Sequence, residues 1–523
     1  MKTFLRPGFY QKLIIGLLLF AQLGLAIYLL VRLSTYSEQS QLAFYIILSS
    51  MFVLNVAISS YIISSKSPDS YRLAWLWVVN CIPLLGAITY IVFANKQTSK
   101  RKRKMVNRYI RPLEKEESES KALEELNDKY PAYVPLSNYL FFTKGGGIFS
   151  DTSISYYPLG DFVLEPLLRE LSLAKHYIFI EFFIIEKEGY FWKQIHKILV
   201  DKVKEGVDVR VIYDDVGSLS VAPFHFDKEL QKEGIKCHKF NPLRPFLDIR
   251  QNNRDHRKLV IIDGHTAFTG GFNIADEYIN KKERFGHWKD NGIMIKGKAV
   301  TSFTMMFLSN YVFYFDPKEQ IDKKYYSSST YISEIGGYPK GNGLIQPYCD
   351  LPFDSKAVGE RVYLDIIQRA KKYVYMTTPY LIIDSEMENS LIAAASSGIE
   401  VILLMPHIPD KKAIFQLSRS YYGNLLKAGV KIYEYTPGFV HEKMFISDDV
   451  VATVGTINLD YRSLYLHLEN GTFIVGSNSI SDMKRDFLDS IKLSTQIDLS
   501  TFYRWHKKNK CYWGLLRIAA PFL

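Results

Sequence analysis

The sequence has few cysteines and no local cluster of metal-ligand residues. Its four cysteines are scattered and contain no CxxC pair: Cys81, Cys237, Cys349 and Cys511. This spacing excludes a disulfide framework and a cysteine-based zinc site. No group of histidines and carboxylates has the spacing of a zinc protease. The sequence therefore predicts a protein of a reducing compartment, without a metal centre or another cofactor.

Acidic residues are absent from residues 96–111, where eight basic residues gather: Lys96, Lys100, Arg101, Lys102, Arg103, Lys104, Arg108 and Arg111. They supply most of the net charge of +11. The stretch directly follows a hydrophobic segment, a position in which basic clusters bind anionic lipid headgroups and fix the orientation of a membrane protein. A solvated linker is the alternative. Because the hydrophobic segment comes first, nucleic acid is a weaker expectation than a membrane.

Charged residues are also missing from residues 13–31, an apolar stretch long enough to span a bilayer. A cleaved signal peptide is the alternative, but the stretch is long for one and lacks a clear cleavage site. Residues 42–63 predict a second span. Residues 73–93 form a third apolar run, which Pro83 and Gly86 interrupt.

Basic residues at both ends of this region favour two crossings over three. Lys2, Arg6 and Lys12 precede the first span, and the basic stretch follows the third run. The positive-inside rule places both groups in the cytoplasm, which requires an even number of crossings. We therefore expect residues 1–95 to be an α-helical membrane anchor with two spans, and the third run to form a Pro-broken hairpin or to lie at the interface. Three spans are the alternative. The prediction is a multi-pass cell-membrane protein with cytoplasmic catalytic domains.

The stretch from residue 254 to 273 reads RDHRKLVIIDGHTAFTGGFN, and its pattern recurs from 441 to 458 as HEKMFISDDVVATVGTIN. In both copies the histidine is followed by a lysine after two residues, an aspartate after seven, a glycine after fourteen and an asparagine after seventeen. The similarity extends beyond the motifs, as between DNGIMIKG at 290–297 and ENGTFIVG at 469–476. The chain therefore carries two copies of one unit.

Each unit alternates short hydrophobic strands with helical segments, which predicts a mainly parallel or mixed sheet covered on both faces. The predicted fold class is α/β, with two pseudo-symmetric α/β/α sandwich domains at 140–330 and 331–500. A basic segment and connector at 96–139 precedes them. Residues 501–523 form an amphipathic tail, which either lies at a membrane interface or packs on its own domain.

Strand alternation predicts that the histidine and lysine of each motif point to the same side, while Arg257 points away. Two such pairs suit displacement at a phosphodiester. One neutral histidine attacks phosphorus, and the other, protonated, gives its proton to the leaving alcohol and then activates the incoming nucleophile. The lysines hold the nonbridging oxygens, with two asparagines as neutral donors. The residues of this scheme are His256, Lys258, His441, Lys443, Asn273 and Asn458.

Carboxylates complete the predicted site. Asp290 and Glu469, both in the sequence acid-Asn-Gly, are expected to orient the imidazoles, with surface carboxylates at a strand start as the alternative. Asp263 and Asp448 belong to the motifs and are counted with the catalytic residues. Their odd spacing from the histidine and their turn position nevertheless favour a structural role. The other histidines, His467 among them, are expected to be structural or surface groups.

The duplicated HxKxxxxD motif, with its glycine and asparagine, resembles that of the phospholipase D superfamily over residues 140–498. With the amino-terminal apolar segments, GGFNIADEY at 270–278 and NLDYRSLYLHLENG at 458–471, the chain is similar to the bacterial cardiolipin synthases. The resemblance implies transfer of a phosphatidyl group between two phosphatidylglycerol molecules, through a phosphohistidine and without metal or nucleotide. It implies that His256 is the nucleophile and His441 the acid and then the base, although the repeat symmetry alone does not assign these roles.

The expected partners are phosphatidylglycerol, other anionic lipids and the membrane, and not nucleic acid. Other acceptors would change the activity at the same site. Water would give a phospholipase or a nuclease, and serine or ethanolamine another phospholipid synthase. Membrane attachment disfavours the nuclease. A membrane scaffold with an inactive site is disfavoured because both motifs are intact.

Overall fold

The computed structural model describes residues 38–65, 67–93, 117–143, 146–243, 252–315, 337–352 and 356–522, together with the single residues 24, 28 and 325. The chain divides into two compact units. The smaller comprises residues 1–97, 242–253 and 518–523, and the larger comprises residues 98–241 and 254–517.

The described part of the smaller unit contains the helices α1 (Glu38–Ile63), α2 (Asp69–Cys81) and α3 (Pro83–Phe93). The break between α2 and α3 lies at Ile82, whose φ is −135° and ψ 70°. A proline disfavours helical geometry in the residue before it. Gly86 allows close approach of the two helices, since a Cβ there would lie 2.6 Å from the carbonyl oxygen of Val78. The predicted break of the third apolar run at Pro83 is therefore confirmed.

The predicted membrane crossings are not confirmed. Among the described residues, no helix combines the length and the apolar character needed to cross a bilayer. The expected second span, residues 42–63, coincides with α1. Apart from residues 24 and 28, the expected first span at 13–31 lies outside the described residues.

The larger unit starts with the helices α4 (Glu117–Lys129) and α5 (Val134–Thr143), which a short 3-10 turn, Pro131–Tyr133, separates. The first repeat then contains β1 (Thr152–Tyr157), α6 (Gly160–Ser172), β2 (Tyr177–Phe182), α7 (Tyr190–Lys204), β3 (Asp208–Asp214), α8 (Phe226–Lys232), β4 (Lys236–Phe240), β5 (Lys258–Ile262), β6 (Thr266–Gly270), a 3-10 turn (Asp276–Ile279), β7 (His287–Lys289), β8 (Gly292–Gly297) and α9 (Val300–Tyr314).

The second repeat contains β9 (Leu344–Asp350), α10 (Val358–Arg369), β10 (Tyr373–Thr377), α11 (Ser385–Ser396), β11 (Glu400–Pro406), α12 (Lys412–Ser420), α13 (Tyr422–Lys427), β12 (Lys431–Tyr435), β13 (Gly438–Val440), β14 (Met444–Ser447), β15 (Val451–Gly455), α14 (Tyr461–Tyr465), β16 (Glu469–Val475), α15 (Ser479–Lys492) and β17 (Ser494–Ile497). The helix α16 (Leu499–Ala519) and a final 3-10 turn, Ala520–Phe522, follow.

Each repeat forms a mixed sheet. The strand order is β1-β8-β6-β5-β2-β3-β4 in the first and β17-β12-β11-β10-β14-β15-β16-β9 in the second. When the second sheet is read from β9 toward β17, its strands correspond one by one to those of the first sheet from β1 to β4. The strand β17 is an addition beyond β12. The pairs β2-β3 and β3-β4, and their counterparts β10-β11 and β11-β12, are parallel. The duplicated, pseudo-symmetric α/β fold predicted from the sequence is therefore confirmed.

The strand β2 shows how a sheet is covered on both faces. All its residues are buried. Ile178 and Ile180 belong to a core that also contains Trp192 of α7, whereas the ring of Phe179 stacks on Phe307 of α9 at a centroid distance of 4.7 Å. A strand buried on both faces is apolar at nearly every position, and the exception in β2, Glu181, lies 3.6 Å from the Nη1 of Arg257. The core on the α9 side also contains residues of β14 and α15, so the two repeats share it.

Candidate active site

Lys258 is the first residue of β5, His256 lies two residues before it, and both side chains are buried. The Lys258 Nζ donates to the carbonyl oxygen of His256 at 2.7 Å. Arg257 turns to the opposite side, where its Nη1 donates to the Met306 carbonyl oxygen at 3.2 Å and lies 3.6 Å from Glu181 Oε1. The side chains therefore alternate as predicted.

The second motif has the same arrangement. His441 and Lys443 lie directly before β14 and are buried, and the Lys443 Nζ donates to the carbonyl oxygen of His441. Glu442 turns away, and its Oε2 lies 3.4 Å from the Nζ of Lys289. Each motif therefore presents one histidine and one lysine on one side and a buried ionisable side chain on the other.

A short two-stranded sheet joins the second motif to the first repeat. The strands β7 and β13 pair in parallel, and the backbone N–H of His441 donates to the carbonyl oxygen of Lys289 at 2.8 Å. Because Asp290 follows Lys289, this register brings the Asp290 carboxylate to the His441 ring.

The symmetric contact joins the first motif to the second repeat. Asp255 forms a parallel bridge with Leu468, and the backbone N–H of His256 donates to the carbonyl oxygen of Leu468 at 2.9 Å. Because Glu469 follows Leu468, its carboxylate reaches the His256 ring.

Each histidine consequently contacts the carboxylate of the other repeat. The Nδ1 of His256 lies 2.9 and 3.0 Å from the two carboxylate oxygens of Glu469. The Nδ1 of His441 lies 2.7 Å from Asp290 Oδ2. The sequence predicted both acids as orienting groups but did not indicate this crosswise pairing.

The two histidine–carboxylate pairs differ in their further hydrogen bonds. Glu469 also accepts from the Oγ of Ser463 at 2.5 Å and from the Oγ1 of Thr456. Asp290 accepts from the backbone N–H that follows it, at 3.0 Å. Gly271 occupies the position that corresponds to Thr456, and a Cβ there would lie 2.0 Å from Asp290 Oδ1. The first repeat therefore has a glycine, Gly271, beside the Asp290 carboxylate. The second repeat has Thr456 at this position, and its hydroxyl donates a hydrogen bond to Glu469.

His467, which the sequence placed among the structural or surface groups, lies beside the His256 pair. Its ring centroid is 5.5 Å from that of His256, and its Nδ1 lies 3.6 Å from Glu469 Oε1. The available signal was its position two residues before Glu469.

In the part of the chain that the structure describes, His256, His467 and Glu469 form one group that could hold a metal ion, with ligand atoms within 4.8 Å of one another. Both oxygens of Glu469 already accept hydrogen bonds from an imidazole or a hydroxyl. These contacts favour an orienting role for the carboxylate over metal ligation.

Burial changes the charge states of the site. Burial and then the neighbouring lysine charges lower the pKa of His256 and the pKa of His441 well below the ordinary value. Burial also lowers the pKa of Lys258 to about 7 and that of Lys443 to about 8, and it raises the pKa of Asp290 to about 6. Both imidazoles are therefore neutral near neutral pH, the form that can act as a nucleophile.

Aromatic rings lie beside both histidines, which the sequence did not predict. The ring of Phe183 lies 5.1 Å from that of His256. Tyr278 and Trp288 lie 5.3 and 5.7 Å from His441. These rings contribute to the burial of both imidazoles.

The two asparagines of the motifs have different partners. The Oδ1 of Asn273 accepts from the backbone N–H of Ile184 at 3.1 Å, and its Nδ2 donates to the Tyr278 hydroxyl at 2.7 Å. The Oδ1 of Asn458 is buried and has no hydrogen-bond partner among the described residues. Phosphate binding by either side chain stays a prediction.

Asp263 and Asp448 lie in the turns that follow β5 and β14, at the far ends of these strands from the histidines. Both have a positive φ, 49° and 56°. The Asp263 carboxylate accepts from the backbone N–H groups of residues 175, 176 and 177 at 2.7–2.8 Å. Asp448 accepts from those of residues 371, 372 and 373 at 2.6–2.9 Å. These contacts fix the starts of β2 and β10, so we correct the inclusion of both aspartates among the catalytic residues.

Replacing Asp263 by Asn is expected to lower stability and to leave the chemistry of the folded enzyme intact. The amide tolerates the positive φ but has one uncharged oxygen for three N–H groups. We expect a loss of roughly 2–4 kcal/mol in the free energy of unfolding, because charge-assisted hydrogen bonds are lost. Thermal unfolding in detergent measures the loss, with Asp448→Asn as the matched variant. Lost turnover at unchanged stability would contradict the structural role.

Comparison with known protein families finds the same duplication. A family model described as "Cardiolipin synthase, PLD-like domain", where PLD denotes phospholipase D, matches residues 167–305 and 363–491. The chain belongs to the cardiolipin synthase family. The two matched segments fall in the two repeats. The model "Phospholipase_D-nuclease N-terminal" also matches residues 53–95.

Sequences of other cardiolipin synthases align with most of the chain. A cardiolipin synthase of Alkalihalophilus pseudofirmus is 33% identical over 87% of this chain and 90% of its own length. One of Geobacillus kaustophilus is 31% identical over 95% of this chain and 97% of its own. The crystal structure of a phosphatidylserine synthase of Haemophilus influenzae is 14% identical and has a TM-score of 0.54, covering 71% of this chain and 95% of its own. This last similarity supports the fold alone.

Proposed function

We propose that the chain is a cardiolipin synthase, a phosphatidyltransferase that moves a phosphatidyl group from one phosphatidylglycerol to a hydroxyl of a second and releases glycerol. The observation that carries the proposal is the composite site, in which each histidine contacts the carboxylate of the other repeat beside two buried lysines. The relatives named cardiolipin synthase support the substrate class.

His256 is the proposed nucleophile. Both oxygens of Glu469 lie at its Nδ1, and an ionised carboxylate only accepts hydrogen bonds. The proton therefore lies on Nδ1, and Nε2 keeps the lone pair. Nε2 attacks phosphorus, and the bond from phosphorus to the glycerol oxygen breaks as the phosphorus–nitrogen bond forms.

His441 is the proposed acid and then the base. The Lys443 Nζ lies 2.9 Å from His441 Nδ1. An ammonium only donates, so this contact favours the tautomer with its proton on Nε2. Nε2 gives that proton to the leaving glycerol oxygen while Lys443 supplies one to Nδ1, which Asp290 then accepts in a hydrogen bond. The lone pair now on Nε2 takes the proton of the acceptor hydroxyl as that oxygen attacks phosphorus and the phosphorus–nitrogen bond breaks. His441 finally returns the Nδ1 proton to Lys443.

The remaining polar groups bind the phosphodiester. Lys258 provides positive charge close to both imidazoles, and Lys443 does so until it passes its proton to His441. Such charge offsets the negative charge that develops on the nonbridging oxygens. Asn458, whose buried Oδ1 has no hydrogen-bond partner in the described part of the chain, can turn its amide N–H groups toward them, and Asn273 contributes its second amide N–H.

Membrane attachment through the amino-terminal region is part of the proposal, with the catalytic repeats on the cytoplasmic side. The helices α1–α3 expose large apolar side chains, among them Phe52, Leu73 and Ile91. The basic stretch at 96–111 follows them in the sequence. Exposed apolar surface followed by basic residues suits attachment to a bilayer of anionic lipid.

The test is a reaction of the purified enzyme in detergent with radiolabelled phosphatidylglycerol and EDTA. Cardiolipin with an equal amount of free glycerol supports the proposal. Phosphatidic acid as the sole product would identify a hydrolase. A different phospholipid on addition of serine or ethanolamine, with no cardiolipin, would identify another synthase. Loss of activity with the chelator would contradict a metal-free mechanism.

The KM for phosphatidylglycerol is expected to rise with pH. Binding needs cationic lysines, and the pKa values of Lys258 and Lys443 are lowered to about 7 and about 8. A lowered pKa means that the proton is lost at lower pH, so affinity is high below these values and falls as the pH rises through them. Lys258→Arg keeps its charge and should flatten the lower part of the profile. Initial rates over a pH series that brackets both values measure this, and a pH-independent KM in the unmodified enzyme would contradict it.

A further inference from the structure

One side of α16 is fixed on the second repeat. Phe502 and Trp513 are buried, and the Trp513 Nε1 donates to Gln416 Oε1 at 3.0 Å. The Arg517 Nη2 donates to the Ser420 carbonyl oxygen at 2.7 Å. The helix α16 therefore packs on α12 and α13 in one orientation. This agrees with one of the two predictions for the tail, that it packs on its own domain.

The other side of α16 carries exposed aromatic, aliphatic and cationic side chains. Tyr503, Tyr512 and Leu515 are 49%, 45% and 61% exposed. Four exposed basic residues lie among them: Arg504, Lys507, Lys508 and Lys510. The helix contains no aspartate or glutamate. We call this surface, residues 503–515 on the outward side, the basic face of α16.

We propose that the basic face of α16 docks on the surface of an anionic phospholipid bilayer, which rests on the proposed function because that bilayer also supplies the substrate. Lysine and arginine near a membrane surface are attracted by anionic headgroups, while tyrosine and leucine enter the interface. Long basic side chains extend past the apolar groups to reach the phosphates. The absence of acidic residues on α16 makes its charge complementary to such a surface.

The chain after α16 leads to another apolar surface. Phe522 packs on Tyr71 and Trp75 of α2, at centroid distances of 5.8 and 5.2 Å. The α2 helix also exposes Leu73 and Trp77. The residues that follow α16 thus pack on an amino-terminal helix that itself exposes apolar side chains.

A label on Cys511 tests the docking directly, because this cysteine is exposed on the basic face. The full-length enzyme carries Cys81→Ser to remove the other exposed thiol, and Cys237 and Cys349 are buried. A nitrobenzoxadiazole label should be quenched by brominated phosphatidylglycerol vesicles and not by brominated phosphatidylcholine vesicles, and added salt should reduce the quenching. A label that stays unquenched while the enzyme is active on phosphatidylglycerol vesicles would overturn the docking.

Charge reversal separates docking from catalysis. Lys507→Glu, Lys508→Glu and Lys510→Glu together should abolish the quenching and raise the KM on phosphatidylglycerol vesicles by about 10-fold or more, with kcat in detergent unchanged. The matched control reverses three exposed lysines of α7: Lys193, Lys197 and Lys204. An equal rise of KM in the control would overturn a specific role of α16. An unmodified enzyme that forms no cardiolipin in detergent would refute the proposed function instead, and the quenching would still be measurable.

Discussion

Alanine at either His256 or His441 should abolish cardiolipin formation, with turnover reduced by roughly 10⁴-fold or more. His256 supplies the atom that bonds to phosphorus, and His441 moves the proton to and from the alcohol oxygens. Because the two residues act at one phosphorus, neither repeat should retain activity alone. Turnover of radiolabelled phosphatidylglycerol in detergent measures both losses.

The two alanine variants should differ in one respect. His441→Ala keeps the nucleophile and should still form the phosphoenzyme slowly, whereas His256→Ala should form none. His196→Ala on α7, whose Nε2 lies 2.6 Å from Glu233, is the control for loss of an imidazole outside the site. A phosphoenzyme trapped with His256→Ala would show that the nucleophile is assigned to the wrong residue.

Glu469→Gln and Asp290→Asn should each reduce turnover by roughly 10²- to 10⁴-fold. An amide has nearly the shape of the carboxylate, but at His256 its NH₂ can donate to Nδ1 and hold the imidazole in the tautomer whose Nε2 cannot attack phosphorus. It also lacks the negative charge that stabilises a protonated ring. The turnover of both variants, measured beside that of the alanine variants, tests the orienting role.

Stability should not fall in these two variants. Burial raises the pKa of Glu469 and the pKa of Asp290, which means that the charged carboxylates are costly to bury, and a neutral amide removes that cost. Glu434→Gln is the control, because Glu434 is buried and its Oε2 lies 2.6 Å from Arg419 outside the site. A lower thermal midpoint in step with the lost turnover would point to a structural role for the two acids.

Sequence patterns over a few neighbouring residues were sufficient to predict much of the fold. Apolar residues recur at helical spacing between Gly189 and Gly206, and this pattern predicts a helix at 190–204, the same bounds as α7. Strand alternation predicted that Arg257 turns away from His256, and the Asp-Gly position predicted the turn at Asp263. Each of these features depends on residues within a few positions of one another, which a sequence displays directly.

Contacts between segments that lie far apart in the sequence were harder to predict. The pairing of Glu469 with His256 depends on the register of the Asp255–Leu468 bridge, and the internal repeat is equally compatible with pairing inside each unit. His467 was missed for the same reason, since its neighbour His256 belongs to the other repeat. The third apolar run predicted the break at Pro83 correctly, whereas no helix among the described residues has the length and apolar character of the predicted crossings.

The crosswise pairing of acid and histidine is the central claim, and a substrate with a p-nitrophenol leaving group in place of glycerol tests it most directly. Nitrophenolate leaves without a proton, so loss of the general acid should matter little for its release. Asp290→Asn should then behave like His441→Ala, with the nitrophenol burst restored close to that of the unmodified enzyme, while Glu469→Gln should stay impaired like His256→Ala. The opposite result, in which Asp290→Asn stays impaired and Glu469→Gln is restored, would contradict the crosswise site.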